Sequence, residues 1–451
     1  MTNRSIDVKE AIQIVRELRA QNYNAYFAGG CVRDLVMKQD PKDYDIATSA
    51  TPDEVARIFP KCVEVGKEFG VMLVVKGKQH FEVATFRREG PYRDGRHPDG
   101  ISFTTPAEDA KRRDFTVNGL FYDPIKQSII DYVHGVNDIR AKTIRTIGEP
   151  EDRFEEDRLR LLRAIRFASN LGFGVEPRTW LAMTRLAKKI HSVSQERIRD
   201  ELVKMFTRPH ADRALTLLEE SGLLKEVLPE VEAMKGVRQP PEFHPEGDVF
   251  THTRLLMGQL KEPPPALAFG ALLHDVGKPK TYSDEGKRIH FYHHARIGAE
   301  MAREILKRLR FSNQETEDVV SCVEHHMTFA DVKKMRLGKL IRFVTRKTFP
   351  IELELHRIDC LASHGELDLY RFLKRKVREL KREELKPKSI VNGYDLIQLG
   401  IPAGPIRRTI LEEAYSLQLE GKLSSREEAL KWIVTNFVRE ASKDAEQGRG
   451  E

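Results

Sequence analysis

The chain is poor in cysteine and has no long apolar run. Only four of its 451 residues are cysteine, and no C-x-x-C pair occurs. This pattern argues against a disulfide framework and a thiolate zinc site, and it favours a reducing cytoplasm. No window of about 18 uninterrupted apolar residues exists, and the first residues lack the charged and apolar segments of a targeting signal. We therefore expect a cytoplasmic protein that does not interact with a membrane.

Length and charge favour several domains and a polyanionic partner. A chain of 451 residues with 40% hydrophobic content exceeds what a single core usually serves, so we expect two to four domains. Lysine and arginine total 76 against 69 aspartate and glutamate, which gives a net charge of +7. A positive balance of this kind is compatible with nucleic acid but does not by itself identify one.

Apolar spacing predicts the order of elements at the start of the chain. Helical spacing over residues 6–22 precedes a short strand, "NAYF", that ends at a glycine turn. Two apolar runs at 70–77 and 80–87 face each other across a short turn and predict a β-hairpin. From Pro150 onward strand signals almost vanish. We expect an α+β fold in which a small mixed-sheet head is followed by a helical remainder.

Proline-rich breaks and clustered histidines divide this remainder. The stretch "GVRQPPEFHPEGD" (236–248) predicts a linker into a third region, and ten of the fifteen histidines lie between residues 244 and 364. The predicted domains are the head (1–148), a helical neck and body (149–240), a histidine-rich domain (241–370) and a helical basic tail with a disordered end (371–451).

Asp43 and Asp45 are the first candidate site residues. In a strand, residues i and i+2 project to the same face, so the two carboxylates lie side by side. Their repulsion is relieved by a divalent cation, and oxygen ligands suit Mg²⁺ in a site that binds a nucleoside triphosphate. Gly29 and Gly30 would let the backbone approach phosphate oxygens, and Arg33 would add positive charge. The alternative is a solvated acidic loop.

Glu82 is a candidate third carboxylate. The period of two in "FEVATF" places its side chain on one face of the second hairpin strand. The alternative is a surface glutamate on an edge strand.

Three ordered motifs resemble a known family. They are "GGCVRD" with "DYD", "KRRDFTVNGLFYD" (111–123) and "FEEDRLRLLRAIRFASNLGF" (154–173). They are similar to successive motifs of the bacterial-type (class II) tRNA nucleotidyltransferase and poly(A) polymerase family. The resemblance implies a polymerase-β-like head that extends RNA 3′ ends without a nucleic-acid template. It also implies that Asp43 and Asp45 bind metal. It further implies that Arg112, Arg113 and Asp114 contact the triphosphate and the sugar. Asn118 is implied to lie near the ribose.

The third motif also suggests how protein side chains select a base. On a helix, Asp157 and Arg160 are spaced i and i+3 and share a face. A carboxylate acceptor beside guanidinium donors complements the edge that cytosine and adenine have in common. The family's E-D-x-x-R motif has this role and corresponds here to Glu156, Asp157 and Arg160, with Arg163 one turn later. The alternative is a surface ion pair.

A stretch rich in glycine, proline, arginine and aspartate separates the head motifs. In the family, a flexible loop at the position of residues 86–105 is associated with the switch from C to A addition. Because this chain retains the stretch, we expect full CCA addition or A addition rather than C addition alone. The alternative is a mobile surface loop.

The histidine-rich region resembles the HD metal-dependent phosphohydrolase domain. The resemblance is carried by "HPEGDVFTHT", "ALLHDVGKP", "HFYHHARIGAEMA", "VEHHM" and "IDCLAS", in this order. The implied ligands of a divalent metal, whose identity the sequence does not give, are His252, His274, Asp275 and Asp359, with His294, His325 and His326 at a possible second metal position. The neighbouring His293 leaves the choice at that position open. The alternative is a domain that supports RNA binding without activity.

The end of the chain is basic. The stretch 371–388 carries nine lysine or arginine residues against three glutamates and is compatible with the phosphates of a tRNA stem. The segment from "VNGYDL" onward resembles the C-terminal part of HD-bearing CCA-adding enzymes, with a tight turn around Gly400 and Gly404.

Together these features predict template-independent addition of CCA to tRNA from CTP and ATP, together with an HD phosphohydrolase activity. A poly(A) polymerase or an A-adding enzyme would share the head motifs. A metal phosphohydrolase with a vestigial head and a non-catalytic RNA-binding protein are alternatives of a different class.

Overall fold

The computed structural model describes residues 8–90, 100–242, 244–284, 286, 289–380 and 387–438. The predicted disordered end, residues 439–451, lies outside the described residues, as do parts of the predicted loop and of the basic stretch. No helix within the described ranges is both long and apolar enough to span a membrane.

The helices are α1 (Val8–Ala20), α2 (Gly30–Val36), α3 (Pro52–Ile58), α4 (Pro106–Arg112), α5 (Gly135–Arg140), α6 (Pro150–Glu156), α7 (Arg160–Leu171), α8 (Pro177–Leu186), α9 (Gln195–Phe206), α10 (Ala211–Glu220), α11 (Leu223–Val227), α12 (Pro229–Glu232), α13 (Val249–Gly258), α14 (Pro265–Leu273), α15 (Lys278–Thr281), α16 (His294–Arg308), α17 (Asn313–His325), α18 (Leu337–Val344), α19 (Phe349–Ala362), α20 (Asp368–Leu380), α21 (Gly393–Gln398), α22 (Pro405–Leu419) and α23 (Arg426–Ile433). The strands are β1 (Ala25–Ala28), β2 (Ile46–Thr48), β3 (Cys62–Gly66), β4 (Val71–Lys76), β5 (Gln79–Thr85), β6 (Arg87–Glu89), β7 (Ile101–Phe103), β8 (Leu120–Asp123), β9 (Ser128–Asp131), β10 (Thr143–Ile144), β11 (Gly174–Val175), β12 (Tyr282–Asp284) and β13 (Ile289–Phe291).

The chain divides into two units. Unit 1 comprises Met1–Val237, Thr253–Ala268 and Glu304–Ser312, and unit 2 comprises Arg238–His252, Phe269–Arg303 and Asn313–Glu451. The domain boundaries drawn from the sequence remain predictions.

A seven-stranded sheet forms the head within unit 1. Its strand order is β3-β4-β5-β2-β1-β8-β9. The β2–β5 pair is parallel and the other neighbours are antiparallel, so the predicted mixed sheet is confirmed. The predicted hairpin corresponds to β4 and β5. At the ends of the predicted loop, β6 and β7 pair with each other.

Alternation along β5 shows how the sheet separates its core from its open face. Phe81, Val83 and Thr85 are buried, whereas Glu82 is exposed. Beside the sheet, Phe86 and Phe121 lie in one buried cluster with small residues of β1, β2 and α4. The open face is therefore available for polar chemistry.

The helical part of unit 1 is organised around α7. Its apolar residues recur at helical spacing and are buried, and the helix packs against α9 and α10. The helix ends at Gly172, whose φ of 67° suits a residue without a side chain.

Unit 2 is mostly helical, and its described residues include two apolar clusters. One includes Phe329, Phe343 and Phe349, and the other joins α21, α22 and α23. The expectation of an all-helical remainder needs two corrections. In unit 1, β11 lies in the predicted helical neck and pairs with β10. In unit 2, β12 and β13 form a short antiparallel pair, in which Tyr282 contacts Phe291.

Candidate active sites

Asp43 and Asp45 lie directly before β2 in unit 1. Between them, Tyr44 is buried, with its ring centroid 5.0 Å from that of Phe27. The backbone N–H of Ala28 donates to the carbonyl of Asp45 over 2.9 Å, which extends the pairing with β1. The chain is therefore extended here, and the two aspartates project away from the buried Tyr44.

Glu82 lies next to Asp45 in this arrangement. The parallel register pairs Ile46 with Val83, so the preceding residues of the two strands are neighbours. Burial, together with the charges of Asp43 and Glu82, raises the pKa of Asp45 to about 6, against the opposing effect of Arg113. The charges of Asp43 and Glu82 thus disfavour ionisation of Asp45, and a divalent cation with oxygen ligands would relieve this repulsion.

A cavity of about 680 Å³ surrounds these carboxylates. The predicted residues that line it are Gly29, Gly30, Arg33, Asp43, Asp45, Glu82, Arg112, Arg113, Asp114, Asn118, Asp157, Arg160 and Arg163. Of the residues predicted for this site, only Glu156 does not line the cavity within the described part of the chain. Its carboxylate accepts a hydrogen bond from Arg160 Nη1 over 2.7 Å.

Gly29 makes room for an arginine. Its φ is 72°, and a Cβ atom at this position would lie 3.0 Å from Arg113 Nη1. The buried carboxylate of Asp109 holds the guanidinium groups of both Arg112 and Arg113, at 2.8 and 3.1 Å. Asp109 was not predicted from the sequence, although its i+3 and i+4 spacing to the two arginines is the signal that identifies it.

A second network orients Asp114 and Asn118. Arg163 Nε donates to Asp114 Oδ2 over 2.8 Å, and Asn118 Nδ2 donates to Asp114 Oδ1 over 3.2 Å. Arg33 Nη1 in turn donates to Asn118 Oδ1 over 2.8 Å. Burial opposes ionisation of Asp114, but the charge and hydrogen bonds of Arg163 prevail and lower its pKa to about 2. Four predicted residues therefore form one continuous network.

The prediction that Asp157 and Arg160 lie on one helix is wrong. Helix α6 ends at Glu156, and α7 begins at Arg160. The side chain of Asp157 accepts a hydrogen bond from the backbone N–H of Leu159 over 3.1 Å, so this residue closes a turn between the helices. The two side chains nevertheless line the same cavity.

Each of these two side chains has a partner that fixes its position. Arg197 Nη2 lies 3.1 and 3.0 Å from the two carboxylate oxygens of Asp157. Arg160 Nη1 donates to the carbonyl of Arg153 over 2.9 Å as well as to Glu156. Arg197 therefore holds the Asp157 acceptor, whereas Arg153 and Glu156 hold the Arg160 donor.

Phe167 is a cavity residue that the sequence analysis missed. The guanidinium carbons of Arg166, Arg163 and Arg33 lie 4.0, 5.4 and 5.7 Å from its ring centroid. One aromatic ring thus contacts three arginines around the cavity. The spacing of Arg163, Arg166 and Phe167 on α7 was visible in the sequence, whereas the approach of Arg33 was not.

Unit 2 gathers most of the predicted metal ligands. His252 Nε2 lies 3.0 Å from Asp359 Oδ1, and His274 Nε2 lies 3.2 Å from Asp275 Oδ2. Within the described residues, neither nitrogen has a hydrogen-bond partner of suitable geometry, although both histidines are buried. His274 Nδ1 is engaged with the carbonyl of Ala271 over 2.9 Å. These orphaned nitrogens fit a metal site.

A second histidine pair faces the other oxygen of Asp275. The Nε2 atoms of His294 and His326 lie 3.5 and 3.6 Å from Asp275 Oδ1 and 3.1 Å from each other. Their Nδ1 atoms are engaged with the carbonyls of Phe291 and Val323 over 2.8 and 2.7 Å. If both rings are neutral, two lone pairs face each other, which a cation would stabilise. Burial lowers the pKa of His294 to about 4, so a proton is a poor occupant.

The structure separates the neighbouring histidines. His325 contacts the carbonyl of Ser321 over 2.8 Å and lies outside the metal-like groups found among the described residues. His293 is exposed, with φ 63°, whereas His294 is buried in the cluster. Adjacent residues at a helix end point in different directions, so only one of each pair reaches Asp275.

The predicted linker contributes to this site. His244 and Glu246 belong to the stretch 236–248, and with His252 they form a third group of potential ligand atoms. The stretch therefore does more than connect two regions, because two of its side chains contact His252. The histidine of this group was noted in the sequence, whereas the glutamate was not.

Comparison with known proteins identifies the family. Residues 25–145 match the Poly A polymerase head domain, residues 172–235 match the probable RNA and SrmB-binding site of polymerase A, and residues 248–363 match the HD domain. The CCA-adding enzyme of Lactobacillus johnsonii is 32% identical over 95% of this chain and 96% of the relative. The chain belongs to the CCA-adding enzyme family. The resemblance inferred from the sequence is thus confirmed.

Other relatives agree over a shorter range. The CCA-adding enzyme of Oceanobacillus iheyensis is 46% identical over 46% of this chain, and that of Geobacillus stearothermophilus is 45% identical over 48%. The chain spans about half the length of these two relatives, at 52% and 53%.

Solved structures match over most of the chain. The Bacillus stearothermophilus CCA-adding enzyme in complex with CTP matches with a TM-score of 0.73 and 28% identity, covering 96% of this chain and 98% of that one. The Thermotoga maritima CCA-adding enzyme complexed with tRNA shares the fold, with a TM-score of 0.53 at 18% identity.

Proposed function

We propose that this protein adds C, C and A to tRNA 3′ ends from CTP and ATP in the cytoplasm, without a nucleic-acid template. The observation that carries the proposal is the single cavity in which three carboxylates, an arginine cluster and the Asp157 and Arg160 pair meet. Relatives named as CCA-adding enzymes favour this reading over a poly(A) polymerase.

The carboxylates and arginines have distinct tasks. Asp43, Asp45 and Glu82 would hold Mg²⁺, which when bound supplies charge neutralisation at the triphosphate and activation of the RNA 3′-hydroxyl. Arg112 and Arg113, fixed by Asp109, bind phosphate oxygens. As the hydroxyl oxygen bonds to the α-phosphorus, its proton passes to solvent, and the bond between the α-phosphorus and the leaving pyrophosphate breaks.

Base selection follows from the fixed donor and acceptor. The Asp157 carboxylate accepts a hydrogen bond from the exocyclic amine that cytosine and adenine share, and Arg160 donates to the adjacent ring nitrogen. Uracil and guanine have a carbonyl acceptor and a ring N–H donor at these positions, so they do not complement Asp157 and Arg160. Because the partners of Asp157 and Arg160 already fix their side chains, little ordering is needed when a nucleotide binds.

The tail is proposed to contact the tRNA backbone. Helix α20 carries basic residues along much of its surface, with Arg371, Lys374 and Arg375 among the exposed ones. Phosphate contacts of this kind bind a stem without reading its sequence.

We further propose that unit 2 hydrolyses phosphoesters at RNA ends. The two oxygens of Asp275 face different histidine groups, which suits two neighbouring divalent ions held by His252, His274 and Asp359 on one side and by His294 and His326 on the other. Metal ions bound there would activate water for attack on phosphorus. The identity of the metal is left to experiment.

The test uses tRNA transcripts that end before the first C, after both Cs and after the final A. Each is incubated with CTP and ATP, separately and together. Addition of only the missing nucleotides, followed by arrest, supports CCA addition. Unlimited A tracts would identify a poly(A) polymerase, and extension of only the C-C-ended transcript would identify an A-adding enzyme.

Two substitutions separate the proposed activities. Asp45→Ala should abolish nucleotide addition and leave phosphoester hydrolysis, and His274→Ala should do the reverse. Loss of both activities in either variant would contradict the two-site proposal.

A further inference from the structure

Glu246 is a buried carboxylate that contacts a proposed metal ligand. It precedes α13 in the proline-rich stretch, and its side chain is 7% exposed. Its Oε1 atom lies 2.6 Å from Nδ1 of His252 and 2.9 Å from Nδ1 of His244. The His252 side chain is completely buried, so this contact is shielded from water.

The contact has a chemical consequence for His252. A carboxylate is only an acceptor of hydrogen bonds, so Glu246 places the imidazole proton on Nδ1. The lone pair of a neutral His252 is then on Nε2, the nitrogen that lies 3.0 Å from Asp359. A carboxylate in this position also fixes the ring orientation and raises the basicity of the ligand nitrogen.

Another occupant of the same place would be a third metal ion between His244, Glu246 and His252. Their potential ligand atoms do lie within 4.8 Å of one another. However, one carboxylate oxygen already lies at hydrogen-bond distance from both Nδ1 atoms, which suits protons better than an ion. A role for Glu246 in positioning His252 therefore explains these distances without a third metal ion.

The same stretch positions a second residue of the site. Gln239 Oε1 accepts a hydrogen bond from Lys278 Nζ over 2.6 Å, and Lys278 Nζ lies 2.7 Å from Asp275 Oδ2. Two side chains of the stretch 236–248 thus contact His252, a proposed ligand, and Lys278, a partner of the ligand Asp275.

We propose that Glu246 is a positioning residue for the metal centre of unit 2, holding His252 in the tautomer and orientation that direct Nε2 toward a divalent ion. This inference rests on the metal site proposed above. It gives a supporting function to a stretch that the sequence suggested was a linker.

The experiment measures Mn²⁺ binding to the full chain carrying Asp43→Asn, Asp45→Asn and Glu82→Gln, which remove the three carboxylates proposed to bind metal in the head. In this parent, Glu246→Leu should weaken Mn²⁺ binding by about 10- to 100-fold. Glu246→Gln keeps an acceptor oxygen but no charge and should weaken binding by roughly three- to tenfold. Glu242→Gln, an exposed residue of the same stretch, should have no effect. The visible spectrum of bound Co²⁺ should change in Glu246→Leu more than in Glu246→Gln.

Two outcomes would overturn the inference in distinguishable ways. If His274→Ala binds Mn²⁺ as its parent does, the metal site lies elsewhere and the proposed function of unit 2 fails with it. If His274→Ala loses binding but Glu246→Leu retains parental affinity and the parental circular dichroism, only the positioning role is refuted. Should Glu246→Leu not fold, parental affinity in Glu246→Gln refutes it instead.

Discussion

The carboxylate of Asp157 is held by Arg197, a residue 40 positions later on α9. A single guanidinium nitrogen lies 3.1 and 3.0 Å from the two carboxylate oxygens. Asp157 lies in the turn between α6 and α7, where no helix fixes its side chain. The ion pair with Arg197 therefore supplies the orientation that a helix would otherwise give.

Arg197→Met should impair base selection. Without its partner, Asp157 can rotate, and a charged hydrogen bond of this kind contributes about 1.5–3 kcal/mol. We expect kcat/KM for CTP and ATP to fall by at least about tenfold and the preference over UTP to shrink. The measurement is single-nucleotide incorporation with each triphosphate, with Arg197→Lys as the charge-preserving comparison. Unchanged discrimination in Arg197→Met would show that Asp157 is oriented by other contacts.

Phe167→Leu should raise the KM for nucleotides more than it changes kcat. The ring contacts three arginines, and each cation–π contact is worth about 0.5–1 kcal/mol or more. We expect KM for both CTP and ATP to rise about three- to tenfold. Phe173→Leu is the control, since Phe173 is also buried but does not line the cavity. Equal effects of the two substitutions on KM would assign Phe167 a role in stability only.

The affinity for Mg²⁺ in nucleotide addition should depend on pH through Asp45. Because the pKa of Asp45 is raised to about 6, this carboxyl is increasingly protonated below that pH and cannot bind a cation. The apparent Mg²⁺ affinity should therefore fall about tenfold per pH unit below 6 and be constant above it. Titrations of Mg²⁺ in the incorporation assay between pH 5 and 8 provide the check. An affinity independent of pH over this range would contradict the assignment.

His326→Gln and His325→Gln form a matched pair in unit 2. Only His326 faces Asp275, so its substitution should remove one metal position while His325→Gln retains it. Saturating Mn²⁺ should raise the melting temperature of the wild type and of His325→Gln, because a ligand at 100 times its Kd contributes about 2.7 kcal/mol. The shift should be smaller for His326→Gln. A larger shift for His326→Gln than for His325→Gln would mean that the orientation of these two histidines in the structure is not the functional one.

Much of the head was predictable because local patterns specify it. The hairpin of β4 and β5 follows from two apolar runs with a period of two, and the same period places Glu82 opposite the buried Phe81 and Val83. The aspartate pair was also identified from its spacing, whereas the arginines of the KRRD motif were identified from the resemblance to the family. These features depend on neighbours within a few residues, which a sequence displays directly.

Other features depend on contacts between residues that are distant in the chain. The prediction of one helix through Asp157 failed, because the side chain of Asp157 accepts from a backbone N–H in the turn and pairs with Arg197. Residues 236–248, expected to form a linker, also contact His252 and Lys278 through polar side chains. Proline content alone does not reveal whether a segment makes such contacts.

The sequence by itself determined the family, the α+β class of the fold and the types of residue available for catalysis. Tertiary structure decided which of two adjacent histidines reaches Asp275, which arginines gather around Phe167 and where the α6 helix ends. The physical reason is that residue type and periodicity act locally, whereas orientation within a site depends on hydrogen bonds and ion pairs between residues far apart in the chain.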